Sequence, residues 1–282
     1  MFAISVMQLI LATALPFIAS DLGGNVLYGW VFSSYMLASL FTIPLFSKLA
    51  DLYGKRSFFL IGLGLFACGS ILGAFAPSMQ VLIGARVVQG LSAGIITPIT
   101  LAMVSDLFPP EKRGRMIGSC GVVQLAANLI SHPMGSLITH TLGWQWIFFV
   151  NLLLILAGGG MVLLGKPNLP VKSRKEGDQV DILGGLLFGL VCVMVVALAD
   201  YASKNGWRMT VLLWLAAIGV IVVLLIYIEK RHTAPVIQVS FFQNKQLRRA
   251  IISALLTGAL MYGMVNILPL YGVALQKVGL LF

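Results

Sequence analysis

The stretch Ser47-Lys48-Leu49-Ala50-Asp51-Leu52-Tyr53-Gly54-Lys55-Arg56 sets an acid, a glycine three positions later and two adjacent bases in one short segment. That spacing predicts a tight turn in which the carboxylate caps the following helix or pairs with nearby cations. Apolar runs flank it, about Tyr28 to Phe46 before and Phe58 to Phe75 after. Each is close to the roughly 20 residues that a helix needs to cross about 30 Å of hydrocarbon. The segment therefore reads as the wet turn of a membrane-spanning helical hairpin.

Extended outward, the same count gives nine apolar runs: about Phe2 to Ala19, Tyr28 to Phe46, Phe58 to Phe75, Met79 to Met103, Met116 to Leu137, Trp146 to Leu164, Ile182 to Ala199, Val211 to Ile228 and Ala250 to Tyr271. Alternation with a turn every ten residues, as a spanning barrel needs, is absent, so the expected fold is an all-α polytopic membrane protein. Composition agrees: 59% of the 282 residues are hydrophobic and 10% charged, against roughly 25% charged in soluble domains. A soluble enzyme is excluded on that ground. No cleavable signal peptide is evident before the first run, which reads as a spanning helix.

The formal charge of +10 follows from where the bases sit. With the N-terminus in the cytoplasm, fifteen of the nineteen Lys and Arg fall in inner loops, including Lys48, Lys55, Arg56, Lys112, Arg113 and Arg115. The positive-inside rule then fixes the orientation. Anionic lipid accounts for the basic balance, and no nucleic-acid partner is implied. The expected organisation is a six-helix transmembrane bundle over 1–165, a cytoplasmic linker over 166–181, two further helices over 182–228, a second linker over 229–249 and a ninth helix within 250–282.

Arg86, in Leu82-Ile83-Gly84-Ala85-Arg86-Val87-Val88-Gln89-Gly90, is the one ionisable residue other than histidine set well inside a run. Such a group costs roughly 2.5 to 3.5 kcal/mol on insertion scales, so it is expected to face a bundle interior or wet cavity, with snorkelling as the alternative. Gln89, Ala93, Thr97 and Thr100 follow at helical steps and make a polar, small-residue face. Gln124, Asn128 and Ser131 or His132 give the fifth run a second stripe, read either as cavity lining or as interhelical hydrogen-bond glue. His132 can titrate near neutral pH or simply pack. Gln8 lies on the first run. All nine acids, Asp21, Asp51, Asp106, Glu111, Glu176, Asp178, Asp181, Asp200 and Glu229, fall at loops or ends, so no run holds a carboxylate proton carrier.

Enzyme motifs are missing: His132, His140 and His232 lie apart, and neither His-Glu-x-x-His nor Gly-x-Ser-x-Gly occurs. Cys68, Cys120 and Cys192 sit singly inside apolar runs, with no zinc spacing or disulfide framework, so neither a metal site nor a cofactor is implied. Close helix packing accounts for most of the 30 glycines.

Leu49, Ala50, Asp51, Gly54, Lys55 and Arg56 match the second-to-third-helix loop signature of the major facilitator superfamily, with Ser47 replacing its opening glycine; the chain resembles that family. The resemblance implies that Asp51, Gly54, Lys55 and Arg56 form a gating loop. Arg86-x-x-Gln89-Gly90 is similar to the fourth-helix motif, whose arginine is associated with proton coupling. The first run resembles a pattern that has aspartate where this chain has Met7. The fifth-helix antiporter motif survives in register only at Gly135, with Pro133 displaced by one.

The 106–115 segment, the 143–151 segment and two helices after the sixth resemble the fourteen-helix drug/proton antiporter branch, of EmrB/QacA type. A nine-span chain is then expected to be one shortened at its C-terminus. The implied function is proton-coupled export of lipophilic small molecules across a cell membrane, most naturally a bacterial one. Arg86, Gln89, Gln8, Gln124, Asn128 and His132 would belong to the substrate and coupling cavity. Two alternatives stay open, an uncoupled or differently coupled facilitator and a truncated membrane protein that does not transport.

Overall fold

The computed structural model describes residues 1–23, 27, 29–165, 181–205, 209–231, 244–258 and 260, and no strand occurs among them. Residues 166–180 of the predicted 166–181 linker, residues 232–243 of the second linker and the ninth run beyond residue 260 lie outside the described residues. Eight helices follow one another: α1 (Phe2–Leu22), α2 (Trp30–Tyr53), α3 (Lys55–Ala74), α4 (Met79–Leu107), α5 (Pro110–Thr141), α6 (Gln145–Gly165), α7 (Ile182–Asn205) and α8 (Met209–Arg231). They belong to a unit spanning Met1–Val236. A second unit, Ile237–Phe282, has a helix described over 245–258.

Several helices run past their apolar runs, and local residues mark some of the ends. Ser78 caps α4 by accepting from Val81 N at 3.4 Å. Pro110 opens α5 at a position where its missing N–H costs nothing, with Glu111 in the first turn against the helix dipole. Between α2 and α3 the turn shrinks to Gly54, whose φ of 105° is closed to most other residues.

Six helices, α1, α2, α3, α4, α6 and α8, are long and apolar enough to cross a membrane, and α7 holds a shorter apolar stretch, Leu183–Leu198. α5 was expected to match them as a span. It forms a full 32-residue helix, but its charged first turns and the polar side chains Gln124, Asn128 and His132 leave it less apolar than the others.

The main packing pairs are α2 with α4, α3 with α4 and α6, α1 with α5, and α7 with α2 and α8. Glycine permits the close approaches, as expected where lipid supplies no hydrophobic drive between helices. A Cβ on Gly90 would run into the Tyr35 carbonyl, one on Gly94 into the Ser39 carbonyl, and one on Gly73 into the Phe148 ring. α1 is buried along much of its length: Met7, Ile10, Leu11, Ala14, Leu15 and Ile18 lie in one apolar cluster with Phe66, Leu82, Ala127 and Phe148.

Candidate functional site

The deepest polar group lies between α2, α3 and α4. Arg86 is fully buried two turns into α4. Its Nε donates to the Val31 carbonyl at 3.2 Å and its Nη1 to Gln89 Oε1 at 2.7 Å. Gln89 Nε2 in turn donates to Ser70 Oγ on α3 at 3.0 Å. The guanidinium carbon stands 4.2 Å over the Tyr35 ring, and Nη2 has no hydrogen-bond partner. Gly69 makes room for the relay, since a Cβ there would come within 2.7 Å of Gln89 Cγ.

The site thus solvates a cation with a carbonyl, an amide and an aromatic face instead of a carboxylate. Among the described residues no acid lies within ion-pair distance of Arg86. A buried charge without a counter-charge is costly, and the hydrogen bonds and the ring offset part of that cost. The arrangement can hold a fixed positive charge in the bundle and sense any anion, proton or dipole that approaches it.

Arg86 and Gln89 are joined as their helical spacing suggests. The remaining expected cavity residues are not brought to this cluster. Gln8 is half-buried on α1, Gln124 and Asn128 are half-buried on α5, and His132 is exposed; none of the four hydrogen-bonds to Arg86 or to one another. On α5 the stripe Ala127, Ser131, Gly135 and Ile138 is the buried one, and Gly135 sits against Thr13 and Ile10 of α1. Met7 is buried in the apolar core. Farther along α4, Ala93 is buried while Thr97 and Thr100 are half-buried, Thr100 donating to its own helix at Ile96 O, 2.7 Å away.

A second cluster closes the loop end of the bundle. Lys55 Nζ lies 3.1 Å from Asp51 Oδ1 and 2.5 Å from Asp106 Oδ2, so one cation ties the ends of α2, α3 and α4 together. Arg56 Nη2 donates to the Leu163 and Val162 carbonyls, at 3.2 and 3.4 Å, in the last turn of α6. Those carbonyls lack helical partners and carry the negative end of the dipole, a natural seat for a guanidinium. At the opposite end, Trp144 Nε1 donates to Asp21 Oδ2 at 2.9 Å and joins α6 to α1.

Sequence reasoning named Asp51, Gly54, Lys55 and Arg56 but missed Asp106, Ser70 and Tyr35. Asp106 alone left a trace, as the acid that closes the fourth apolar run at the same end as the loop. No grouping of three or more His, Cys, Asp or Glu able to hold a metal ion occurs among the described residues.

The sequence profile of the Major Facilitator Superfamily matches residues 1–281. "Multidrug resistance protein 3" of Bacillus subtilis (strain 168) is 32% identical over 266 residues, covering 93% of this chain and 51% of that protein. "Multidrug resistance protein Stp" of Mycobacterium tuberculosis (strain CDC 1551 / Oshkosh) is 32% identical over 269 residues, covering 94% and 49%. The chain spans about half the length of these curated relatives. The crystal structure of the human organic anion transporter MFSD10 (TETRAN) superposes with a TM-score of 0.50 at 17% identity, covering 69% of this chain and 53% of that one, a likeness of fold alone.

Proposed function

The chain belongs to the Major Facilitator Superfamily, and from that premise we propose that it forms the first bundle and the following helices of a secondary transporter that exports lipophilic small molecules against a proton gradient. In this reading α1 to α6 are the N-terminal bundle over 1–165, α7 and α8 are an inserted pair, and the N-terminus and the Gly54 loop face the cytoplasm. The bilayer, the small-molecule cargo and protons are its partners. The arrangement follows the fourteen-helix drug/proton antiporter branch.

The observation that carries the reading is the buried Arg86, held by Gln89, Val31 O and the Tyr35 ring with no acid beside it. Intramembrane charge that is this costly is expected at a coupling or substrate site. Arg86 modulates coupling; Gln89, Gln8, Gln124, Asn128 and His132 line the path; Asp51, Gly54, Lys55 and Arg56 gate the loop side through Asp106. Alternating access in such folds rocks one bundle against another around a midplane site, and the loop cluster is a contact such rocking would remake.

The test is efflux of a lipophilic cation such as tetraphenylphosphonium from everted membrane vesicles containing the protein. Gradient-driven movement that falls at least about tenfold in Arg86→Gln, with partial recovery in Arg86→Lys, supports the proposal. Movement that persists after a protonophore collapses the gradient supports instead a facilitator, the reading favoured by Met7 at the position of the family's helix-one aspartate.

A further inference from the structure

Two hydrogen bonds do not fully fix a guanidinium. Its N–H groups all lie in one plane, so the bonds from Arg86 Nε to the Val31 carbonyl and from Nη1 to Gln89 Oε1 define a line about which the flat group can still swing. What they leave open is the tilt of the plane, and with it the direction of Nη2, which is buried without a hydrogen-bond partner. A flat group laid against the face settles the tilt, and the Tyr35 ring lies there, with its centroid 4.2 Å from the guanidinium carbon. The ring is itself held. Tyr35 is buried, and its backbone is pressed onto α4 at Gly90, where a Cβ would run into the Tyr35 carbonyl. Val31 and Tyr35 are four residues apart on α2, so one face of that helix supplies both the in-plane acceptor and the ring.

We propose that Tyr35 is a positioning residue: the electrostatic attraction of its ring for Arg86, and not its bulk, sets the plane of the guanidinium and aims Nη2, the guanidinium nitrogen left without a bond. The use of that donor rests on the reading of Arg86 as a coupling residue; the aim rests on the geometry. The ring's π face carries the negative end of its quadrupole and draws a cation placed over it, more strongly where water is excluded. A neutral ring suits the task. A carboxylate at the same place would take up the free donor and cancel the charge, whereas the ring orients the cation and leaves both available. Among the described residues no acid lies within ion-pair distance of Arg86, so this seat has no charged competitor there.

The experiment replaces Tyr35 with phenylalanine and then with mono-, di- and trifluorinated phenylalanine. Each fluorine withdraws electron density from the π face and leaves the ring nearly the same size, so the attraction falls stepwise while the packing is kept. Tyr35→Phe is the reference, since every member of the series lacks the hydroxyl. With the whole chain in lipid nanodiscs, the midpoint temperature is expected to fall at each step, and the series to become level in an Arg86→Met background, which has no cation to seat. Gradient-driven efflux of tetraphenylphosphonium is expected to fall at least about threefold from the phenylalanine to the trifluorinated form, with the half-saturating concentration unchanged. A level midpoint across the series, or the same fall in Arg86→Met, overturns the proposal. Should Tyr35→Phe fail to fold, fluorinated tyrosines, which keep the hydroxyl, are read in the same way. Transport and seat are separately readable. A stepwise midpoint beside efflux that survives Arg86→Gln overturns the coupling reading and supports the aim; efflux lost in Arg86→Gln but level across the fluorinated series keeps the coupling reading and overturns the proposal.

Discussion

Gln89 uses both ends of its amide, accepting from Arg86 and donating to Ser70, and so completes the only solvation that the buried guanidinium has on α4. Gln89→Ala leaves Arg86 Nη1 and Ser70 Oγ unpaired; each orphaned buried group costs about 1 to 3 kcal/mol, more when charged. The expected result is a clear fall in midpoint temperature in detergent. Ser70→Ala orphans a single neutral group, the Gln89 Nε2 donor, and should cost less, about 1 to 3 kcal/mol. Equal losses in the two variants would contradict the order of the relay. Sequence alone showed Arg86 with Gln89, because residues three apart on one helix are neighbours in any helix. Ser70 and the Val31 carbonyl are joined to them only by packing of separate helices, and no spacing rule reaches across that gap.

At the scale of helices, glycine spacing decides which pairs meet closely. Gly90→Ala would press its methyl into the Tyr35 carbonyl and separate α4 from α2, displacing the ring that Arg86 rests on. Overpacking of this kind typically costs about 1 to 3 kcal/mol. Gly84, on the same helix, has nothing within 4 Å of a built Cβ, so Gly84→Ala should be neutral or stabilise by up to about 1 kcal/mol through helix propensity. Thermal melts of the two variants side by side check the contrast. The helices themselves were legible, since the first eight runs all became helices, with starts and stops displaced by several residues. The α5 stripe was not. Its polar residues were visible at helical spacing, but which edge faced α1 depended on Gly135 meeting Thr13, a contact between distant segments.

For the whole molecule, Asp51, Lys55, Arg56, Asp106 and Leu163 come together at one end of the unit, and Asp21 with Trp144 marks the other. Cysteines introduced at Lys55 and Lys112 should therefore react with an impermeant maleimide from the same side of the membrane, and cysteines at Gly23 and Gly143 from the opposite side. Labelling of positions 55 and 112 from different sides would refute the topology. Removing the shared cation with Lys55→Met leaves Asp51 and Asp106 facing each other without it. Because Lys55 and Asp106 are mostly buried, the variant should lose stability, read as a lower midpoint temperature, and gating, read as efflux rate, should change as well. The succession of helices was legible because apolar length is a property of single segments; Asp106 as a partner of Lys55 was not, being 51 residues away.

The Trp144 to Asp21 bond has a mechanical corollary. It clamps the final turn of α1 to the start of α6, while Pro16, five residues earlier, removes a backbone hydrogen bond from the same helix. A rod pinned at its tip and notched just below flexes at the notch, so any bending load on α1 is absorbed near Ala12 to Pro16, and the clamped tip travels with its neighbour.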